Sequence, residues 1–567
     1  MKFITDFLTQ KEGSPTRDLW ILTLIFGTAF FQFLGHFPLI GTDEARYMEI
    51  PREMIERGDF ITPTLNYVKY FEKPPLHYWF NALAIQLFGE TEFAGRFFGA
   101  LWGVIGILFV YHLGRKLFGR REAILSALIL GTSIGIVVQA RINITDTTLT
   151  IFMTACLGCF LLAIQQNEKH QNWYFYLFYL FSALAVLAKG LIGFVLPGGI
   201  IFFFILITKR WRLIREMRLV SGIILFLLIC APWFIIVSIR NPEFARFFFI
   251  HEHFERFLTK VHGRYQPPWF FIPILIGVMI PWSFFIPTSI ARIWGERKQE
   301  GSEIRMFLFL WVAVIFVFFS ISDSKLVPYI LPVYPALALL LGSSYSAAID
   351  RGFSSLKIPA LILSAVTILM GAGCIAYPHL VNDPKITTGG GIIMGGLFIS
   401  LGVIALLNTT KNKTVPLFAG LAIMALLVGI FVPPTIYARM AKDRASRELA
   451  LLVKEKAGQN DFVTVFEYEQ GLPFYSHRRV IVVGDRNELE FGSRQGDQTA
   501  WFIEKDKFYK LWAGPNRVFT LINLRDLDAF EKTCKPSPIL LGKSGRRALI
   551  TNRPDNNTTF FKKNTAK

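Results

Sequence analysis

GTDEARYMEIPREMIERGDFITPTLNYVKYFEKPPLHYW, residues 41–79, follows directly on an apolar run at residues 19–40 and is dense in Asp, Glu, Arg, Lys and Tyr. Charges set between apolar segments are costly to place beside a bilayer, and by default they belong to a site. The connector thus implies a chain that crosses a membrane and does chemistry where it emerges.

Outward from this stretch the chain is greasy: of 567 residues, 53% are hydrophobic, 56 are Phe, and only 18% are charged. That balance excludes an ordinary soluble globular protein. The run at 19–40 is too long for a signal-peptide core and lacks a small-residue cleavage site, so it reads as a retained helix. Windows long enough to span begin near Leu19, Phe93, Ala123, Thr147, Trp173, Gly190, Leu219, Trp269, Met306, Leu326, Lys357, Gly389 and Val415, thirteen in all. At Lys189 and Gly190 a single long segment is the other reading. Four of the five cysteines, Cys156, Cys159, Cys230 and Cys374, sit in apolar stretches and Cys534 stands alone in the polar tail. No disulfide framework follows.

The net charge of +19 does not point to nucleic acid, because the basic residues are split among short loops. GRKLFGRRE (114–122), KRWRLIREMR (209–218) and ARIWGERKQEGSEIR (291–305) carry four, five and four Lys/Arg. The positive-inside rule places these connectors and the N-terminus inside, and the tail outside. The loops 41–92 and 240–268, the ARINITD segment (140–146), Lys189 and SDSKLVPY (322–329) then all reach the outer face. Such convergence suits an enzyme at the outer membrane–water boundary. The expected domains are a transmembrane part, 1–440, carrying those two loops, and an outer domain, 441–567. In the latter, RASRELALLVKEKA has helical spacing, while DFVTVFEY, RRVIVVG and RVFTLIN read as strands of a small α/β domain. It has no nucleotide-binding glycine pattern, so no nucleotide cofactor is expected, and a supporting or lid-like role is the reading.

Asp43 and Glu44 open the first connector, with Arg46 and Tyr47 just beyond; the segment to Arg57 is helical in character apart from Pro51. It either lies along the interface or simply turns its charges to water. In YFEKPPLHYW (70–79), Glu72 and Lys73 precede two prolines that stiffen the backbone. The Lys73 ammonium suits a phosphate, Glu72 a metal or a hydrogen bond, and the alternative is an interfacial turn with a snorkelling lysine. Asp146 suits a helix N-cap, a function, or both, and Lys189 lies near the membrane surface. In IHEHFERFL (250–258), His251 and His253 share a side on a strand but not on a helix, which leaves a metal pair open; Arg256 is a candidate phosphate partner. SKLVPYILP adds Lys325 and Tyr329 at the mouth of the tenth span.

With DEARYMEIPREM (43–54), GDFITP (58–63), YFEKPPLHYW, AKG (188–190), EHFERF (252–257) and SKLVPYILP (324–332), the chain resembles membrane glycosyltransferases of the GT-C type. More closely it resembles the lipid A 4-amino-4-deoxy-L-arabinose transferases, in the wider group containing protein O-mannosyltransferases. That resemblance implies about thirteen transmembrane helices followed by a periplasmic α/β domain, in the bacterial inner membrane. It implies transfer of the amino sugar from undecaprenyl phosphate to a lipid A phosphate, which lowers the negative charge of lipopolysaccharide and gives polymyxin resistance. It further implies Asp43 as the essential acidic position and Lys73, Arg256 and Tyr329 as holders of the carrier phosphate. Arg46, Tyr47, Tyr70, Asp146 and Lys189 become further cavity positions, joined by Lys325. Glu72 with His251, or alternatively His253, would hold a divalent metal such as zinc. Relatives that move a hexose or uronic acid from the same carrier to another envelope acceptor share most of these motifs. A lipid-linked sugar flippase or transporter is the rival of another class, but transporters favour midplane sites and repeated halves, and neither is visible here.

Overall fold

A computed structural model describes residues 2–165, 168–255, 265–299, 301–381 and 386–554. They fall into two compact units, Met1–His36 with Phe71–Arg439, and Phe37–Tyr70 with Met440–Lys567. The division differs from the one expected at 440 alone. Residues 37–70 of the first connector pack with the tail, whereas the expectation assigned the whole of 41–92 to the membrane part.

The first unit is a helical bundle. Among the described residues eight helices are long and apolar enough to cross a bilayer: Glu92–Leu117, Thr145–Ala163, Leu219–Arg240, Ser302–Ile321, Val327–Arg351, Ser354–Leu380, Thr388–Thr410 and Thr414–Ala441. Pro268–Val278 and Trp282–Gly295, bent by 111°, make a ninth if taken as one span. The expected count of thirteen is not reached on these criteria, for local reasons. Pro15–Phe31 and Ile192–Thr208 have 17 residues each, and Arg120–Thr132 has 13, ended by extended Ser133. Glu168–Lys189 is long, but it carries Trp173, Tyr174, Tyr176 and Tyr179, whose polar edges reduce its apolarity. Lys189 closes that helix and Ile192 opens the next, so the segment is indeed divided there.

In the apolar stretch of Thr145–Ala163 94% of residues are buried, and in that of Leu219–Arg240 only 22%, which sets the first at the centre of the bundle and the second on its apolar outside. Lipid tails are as apolar as leucine, so close packing must hold such helices together. Ser354–Leu380 and Thr388–Thr410 meet at Gly371 and Gly395, where an added Cβ on either would lie 2.6 Å from the other's carbonyl oxygen. The basic connectors converge at one end of the bundle. Fully buried Asp18 takes Nε and Nη2 of Arg120 at 2.6 and 2.7 Å and the Tyr111 hydroxyl at 2.9 Å. Nearby, Arg121 pairs with Asp350, and Glu296 gathers Arg292, Arg305 and Arg351.

In the second unit, β1 (Thr64–Leu65) and β2 (Val68–Lys69) form a short hairpin. β3 (Phe462–Val465), β4 (Ile481–Val483), β5 (Phe502–Ile503), β6 (Val518–Asn523), β7 (Ile539–Ser544) and β8 (Arg547–Thr551) form one sheet in the order β5-β4-β3-β6-β8-β7. β3 to β6 run parallel, while β8 pairs antiparallel to both β6 and β7. Each segment read as a strand holds one. β5, β7 and β8 were missed: β5 has only two residues, and in β7 the apolar run gives way to Gly542 and Lys543. Ile481, Val483, Phe508, Trp512, Val518 and Ile550 fill the core. The hairpin is tied to this domain by a reciprocal amide pair, Asn66 Nδ2 to Val480 O and Val480 N to Asn66 Oδ1, both 2.9 Å. Gly492 lets the Lys69 carbonyl approach where a Cβ would collide.

Candidate active site

In the second unit the chain enters the Gly41–Arg57 helix through Gly41 at φ +65°, a turn suited to glycine. Asp43, in the first turn, is more than half exposed. One turn on, Arg46 Nη1 donates to Asp43 Oδ1 at 3.0 Å. Its Nη2 pairs with Glu488, and its guanidinium stands 5.9 Å from the Tyr70 ring centroid. Tyr47 is buried. Further along, Glu49 accepts Nε and Nη2 of Arg52, both at 2.7 Å, and fully buried Glu53 accepts the Thr64 hydroxyl at 2.5 Å and the Tyr67 N–H at 3.1 Å. Burial, reinforced by the neighbouring charge of Glu49, pushes the Glu53 carboxyl up to about 8. This helix is therefore neither an interfacial amphipath nor a solvated one. Glu44, Glu49 and Glu53 are buried and bonded within the unit, while Asp43 near the start of the helix and Glu56 near its end face out, Glu56 paired with Arg52.

In the first unit, Lys73 Nζ lies 3.7 Å from buried Glu252 Oε2 and donates to the Glu72 carbonyl at 2.8 Å. Phe71 fixes this turn edge-on against Phe244, 5.1 Å between centroids. Glu252 and His251 sit in Arg246–Glu255, wound as a π-helix, with the His251 ring stacked on Phe247 at 5.2 Å. Asp146 does not cap its helix: Thr145–Ala163 begins after Ile144, and Asp146 is its second residue. Its carboxylate pairs instead with Lys189, whose ammonium lies 4.7 Å from the Tyr329 ring centroid. His77 Nδ1 and Thr148 Oγ1, 3.0 Å apart, and Asn81 Nδ2 to Asn143 Oδ1, 3.2 Å, dock the Leu76–Phe88 helix beside this group. Lys325 is buried and ties its own loop, donating to the Gln266 carbonyl at 2.8 Å and to that of Ser322.

Three groupings result: Asp43 with Arg46, Tyr70 and Glu488; Lys73 with Glu252; and Asp146 with Lys189 and Tyr329. Arg256 and the His253 side chain lie outside the described residues. Among the described residues no three His, Cys, Asp or Glu side chains are gathered as a metal centre requires. Glu72 and His251 offer one carboxylate and one imidazole toward such a centre.

Over 567 aligned residues the chain is 30% identical to the undecaprenyl phosphate-α-4-amino-4-deoxy-L-arabinose arabinosyl transferase of Pectobacterium carotovorum, covering 95% of this chain and 99% of that protein. The chain belongs to this transferase family. The protein of the same name from Pseudomonas aeruginosa is 30% identical over 64% of this chain and 66% of its own length. The crystal structure of ArnT from Cupriavidus metallidurans bound to undecaprenyl phosphate superposes with a TM-score of 0.82 at 28% identity, over 95% of this chain and 99% of that one. The fold is thus GT-C. The archaeal oligosaccharyltransferase AglB of Archaeoglobus fulgidus shares the fold at a TM-score of 0.52 and 15% identity, over 82% of this chain and 64% of that one. The dolichyl-phosphate-mannose-protein mannosyltransferase family matches residues 72–236, and the aminoarabinose transferase C-terminal domain matches 449–552.

Sequence reading of this family member missed Glu252 and Glu488. Glu252 lay inside the quoted EHFERF, an acid in a loop otherwise counted for its His and Arg. Glu488 follows IVVGDRN, directly beyond a parallel strand, where open α/β sheets place functional loops.

Proposed function

We propose that this chain is an integral membrane glycosyltransferase that moves 4-amino-4-deoxy-L-arabinose from undecaprenyl phosphate to a phosphate of lipid A. The identity to a transferase so named, along nearly the whole of both chains, carries this reading. The reaction exchanges one sugar–phosphate bond for another. An acceptor phosphate oxygen attacks the anomeric carbon, the bond to the carrier phosphate breaks, and that phosphate leaves with the electron pair. An acceptor phosphate is already ionised near neutral pH and needs no general base. The protein's task is then to orient the two phosphates and stabilise the charge developing on the leaving one.

Lys73, with Arg256, serves the leaving phosphate; Glu252 holds the Lys73 ammonium until the carrier arrives. Lys189 and Tyr329 offer a second cation and a hydroxyl, with Asp146 as the resting counter-ion. Asp43 positions the substrates and attracts the ammonium of the amino sugar. The site sits on the periplasmic side of the inner membrane, supported by the gathering of the basic connectors at the other end of the bundle.

The test is mass spectrometry of lipid A from a host lacking its own transferase but making the lipid-linked amino sugar. Added aminoarabinose with the parent chain, and none with equally expressed Asp43→Asn, is the expected result. An unmodified lipid A with the parent would overturn the substrate assignment and direct attention to a hexose or uronic acid on the same carrier.

A further inference from the structure

We infer that Glu488, in the C-terminal α/β domain, is a positioning residue for Asp43, acting through Arg46. The inference rests on the reading of Asp43 as a substrate-facing group. It gives the C-terminal domain a direct part in transfer.

The topology prepares the contact. From β3 the chain builds β4 and β5 on one side and returns to place β6 on the other. In open parallel sheets the loops at the carboxyl ends of the strands are where ligands are held. The segments leaving β3 and β4 at that edge carry Tyr468, Glu469 and Gln470, and then Asp485 to Glu488. Their occupant is the chain's own Gly41–Arg57 helix. The short Gly471–Ser476 helix packs on it, and Arg46 reaches Glu488.

Around Arg46 the bonding is ordered. Gln470 Nε2 donates to Glu488 Oε1, which leaves Oε2 for Arg46 Nη2, and Nη1 of the same guanidinium donates to Asp43 Oδ1 at 3.0 Å. Arg46 and Glu488 side chains are 10% and 13% exposed, against 54% for Asp43, so the relay is anchored inside and ends at an accessible carboxylate. A guanidinium is planar, and fixing one of its nitrogens aims the other. Glu488 also balances the Arg46 charge, so the negative charge of Asp43 is not cancelled by its neighbour and is kept for a cationic sugar. Tyr70 beneath the guanidinium fixes the third direction.

The experiment compares transfer kinetics of the purified full-length chain in detergent, with lipid-linked aminoarabinose and lipid A, for Glu488→Gln, Glu488→Asp, Gln470→Ala, Arg46→Lys and Asp43→Asn. Thermal midpoints are read in parallel. Glu488→Gln is expected to lower kcat on the order of 10-fold with KM for the carrier nearly unchanged. Glu488→Asp should recover part of that loss, and Gln470→Ala should lose less than Glu488→Gln. In an Arg46→Lys background, which keeps the charge but loses the fork, Glu488→Gln should cost less than about twofold more. Parental kcat in Glu488→Gln, or an undiminished cost in the Arg46→Lys background, overturns the positioning role. If Glu488→Gln does not fold, Gln470→Ala decides, and parental kcat there overturns the proposal. Parental activity in Asp43→Asn would overturn the reading of Asp43 itself, a result separable from the others.

Discussion

The two ends of the helical bundle hold charges of the same kinds and use them differently. At the end with the basic connectors, Asp18 is fully buried and receives two nitrogens of Arg120 and the Tyr111 hydroxyl, while Glu296 receives three arginines. Carboxylates satisfied in this way, by planar guanidinium forks, have little acceptor capacity to offer a ligand. At the other end two lysines face the carboxylates: Lys189 beside Asp146 and above Tyr329, and Lys73 at 3.7 Å from Glu252. A lysine is a point charge on a flexible stem, and it exchanges a carboxylate for a phosphate without dismantling a fork. The first arrangement holds helices together, and the second is suited to turnover.

The sharpest break of this comparison is Asp18→Ala, which leaves Arg120 buried without its carboxylate. It should cost about 3–5 kcal/mol of stability, read as a lowered unfolding midpoint in detergent, with the activity of the folded fraction unchanged. A large loss of activity per folded molecule would instead tie that end to the chemistry. Lys73→Met should do the converse. Transfer per folded molecule should fall by roughly 100- to 1000-fold, with a smaller drop of the midpoint than in Asp18→Ala because the Lys73–Glu252 pair is looser, at 3.7 Å; an unchanged activity per folded molecule would remove Lys73 from the phosphate site.

Glu53 sharpens the comparison with a third use of an acid, one kept protonated. Its carboxyl is raised from an ordinary 4.5 to about 8, so the folded unit binds that proton more tightly than the unfolded chain does. The resulting stability is fully present below pH 4.5 and is lost as pH rises through about 8. The slope cannot exceed about 1.4 kcal/mol per pH unit for one proton. Glu53→Gln, which mimics the protonated form, should flatten the fall of the unfolding midpoint between pH 5 and 8; an unchanged slope would assign it to another group. Smallest of all, Arg210→Ala removes a partly exposed pair with Glu303 at 2.6 Å and should shift stability by less than about 1 kcal/mol. A larger shift would mean that this end is held by its rim as well as by its buried forks.

The candidate residues are legible in the sequence because they stand out against an apolar background. Asp43, Lys73, Asp146, Lys189 and Tyr329 are polar exceptions between or beside apolar segments. Their partners are not legible, because pairing joins residues far apart in the chain: Lys73 to Glu252, Lys189 to Asp146, Arg46 to Glu488. Asp146 shows the limit well. Its position at a helix start suggested a cap, a local role, whereas a lysine 43 residues away takes its carboxylate. Among the described residues thirteen spans are not reached on length and apolarity for a related reason. Hydropathy registers apolar length, but Ser133 and the 111° bend between Val278 and Trp282 break helices in ways that depend on backbone geometry.

Composition and periodicity by themselves determined that this protein is a polytopic helical membrane protein with a small α/β tail, because the free energy of placing apolar and charged groups in lipid is read directly from residue type and spacing. Only the tertiary structure decided that residues 37–70 belong with that tail, that Asp146 answers to Lys189, and that Arg46 is shared between Asp43 and Glu488. Burial and ion pairing act across space, and nothing in the local sequence records which distant group arrives to satisfy a charge.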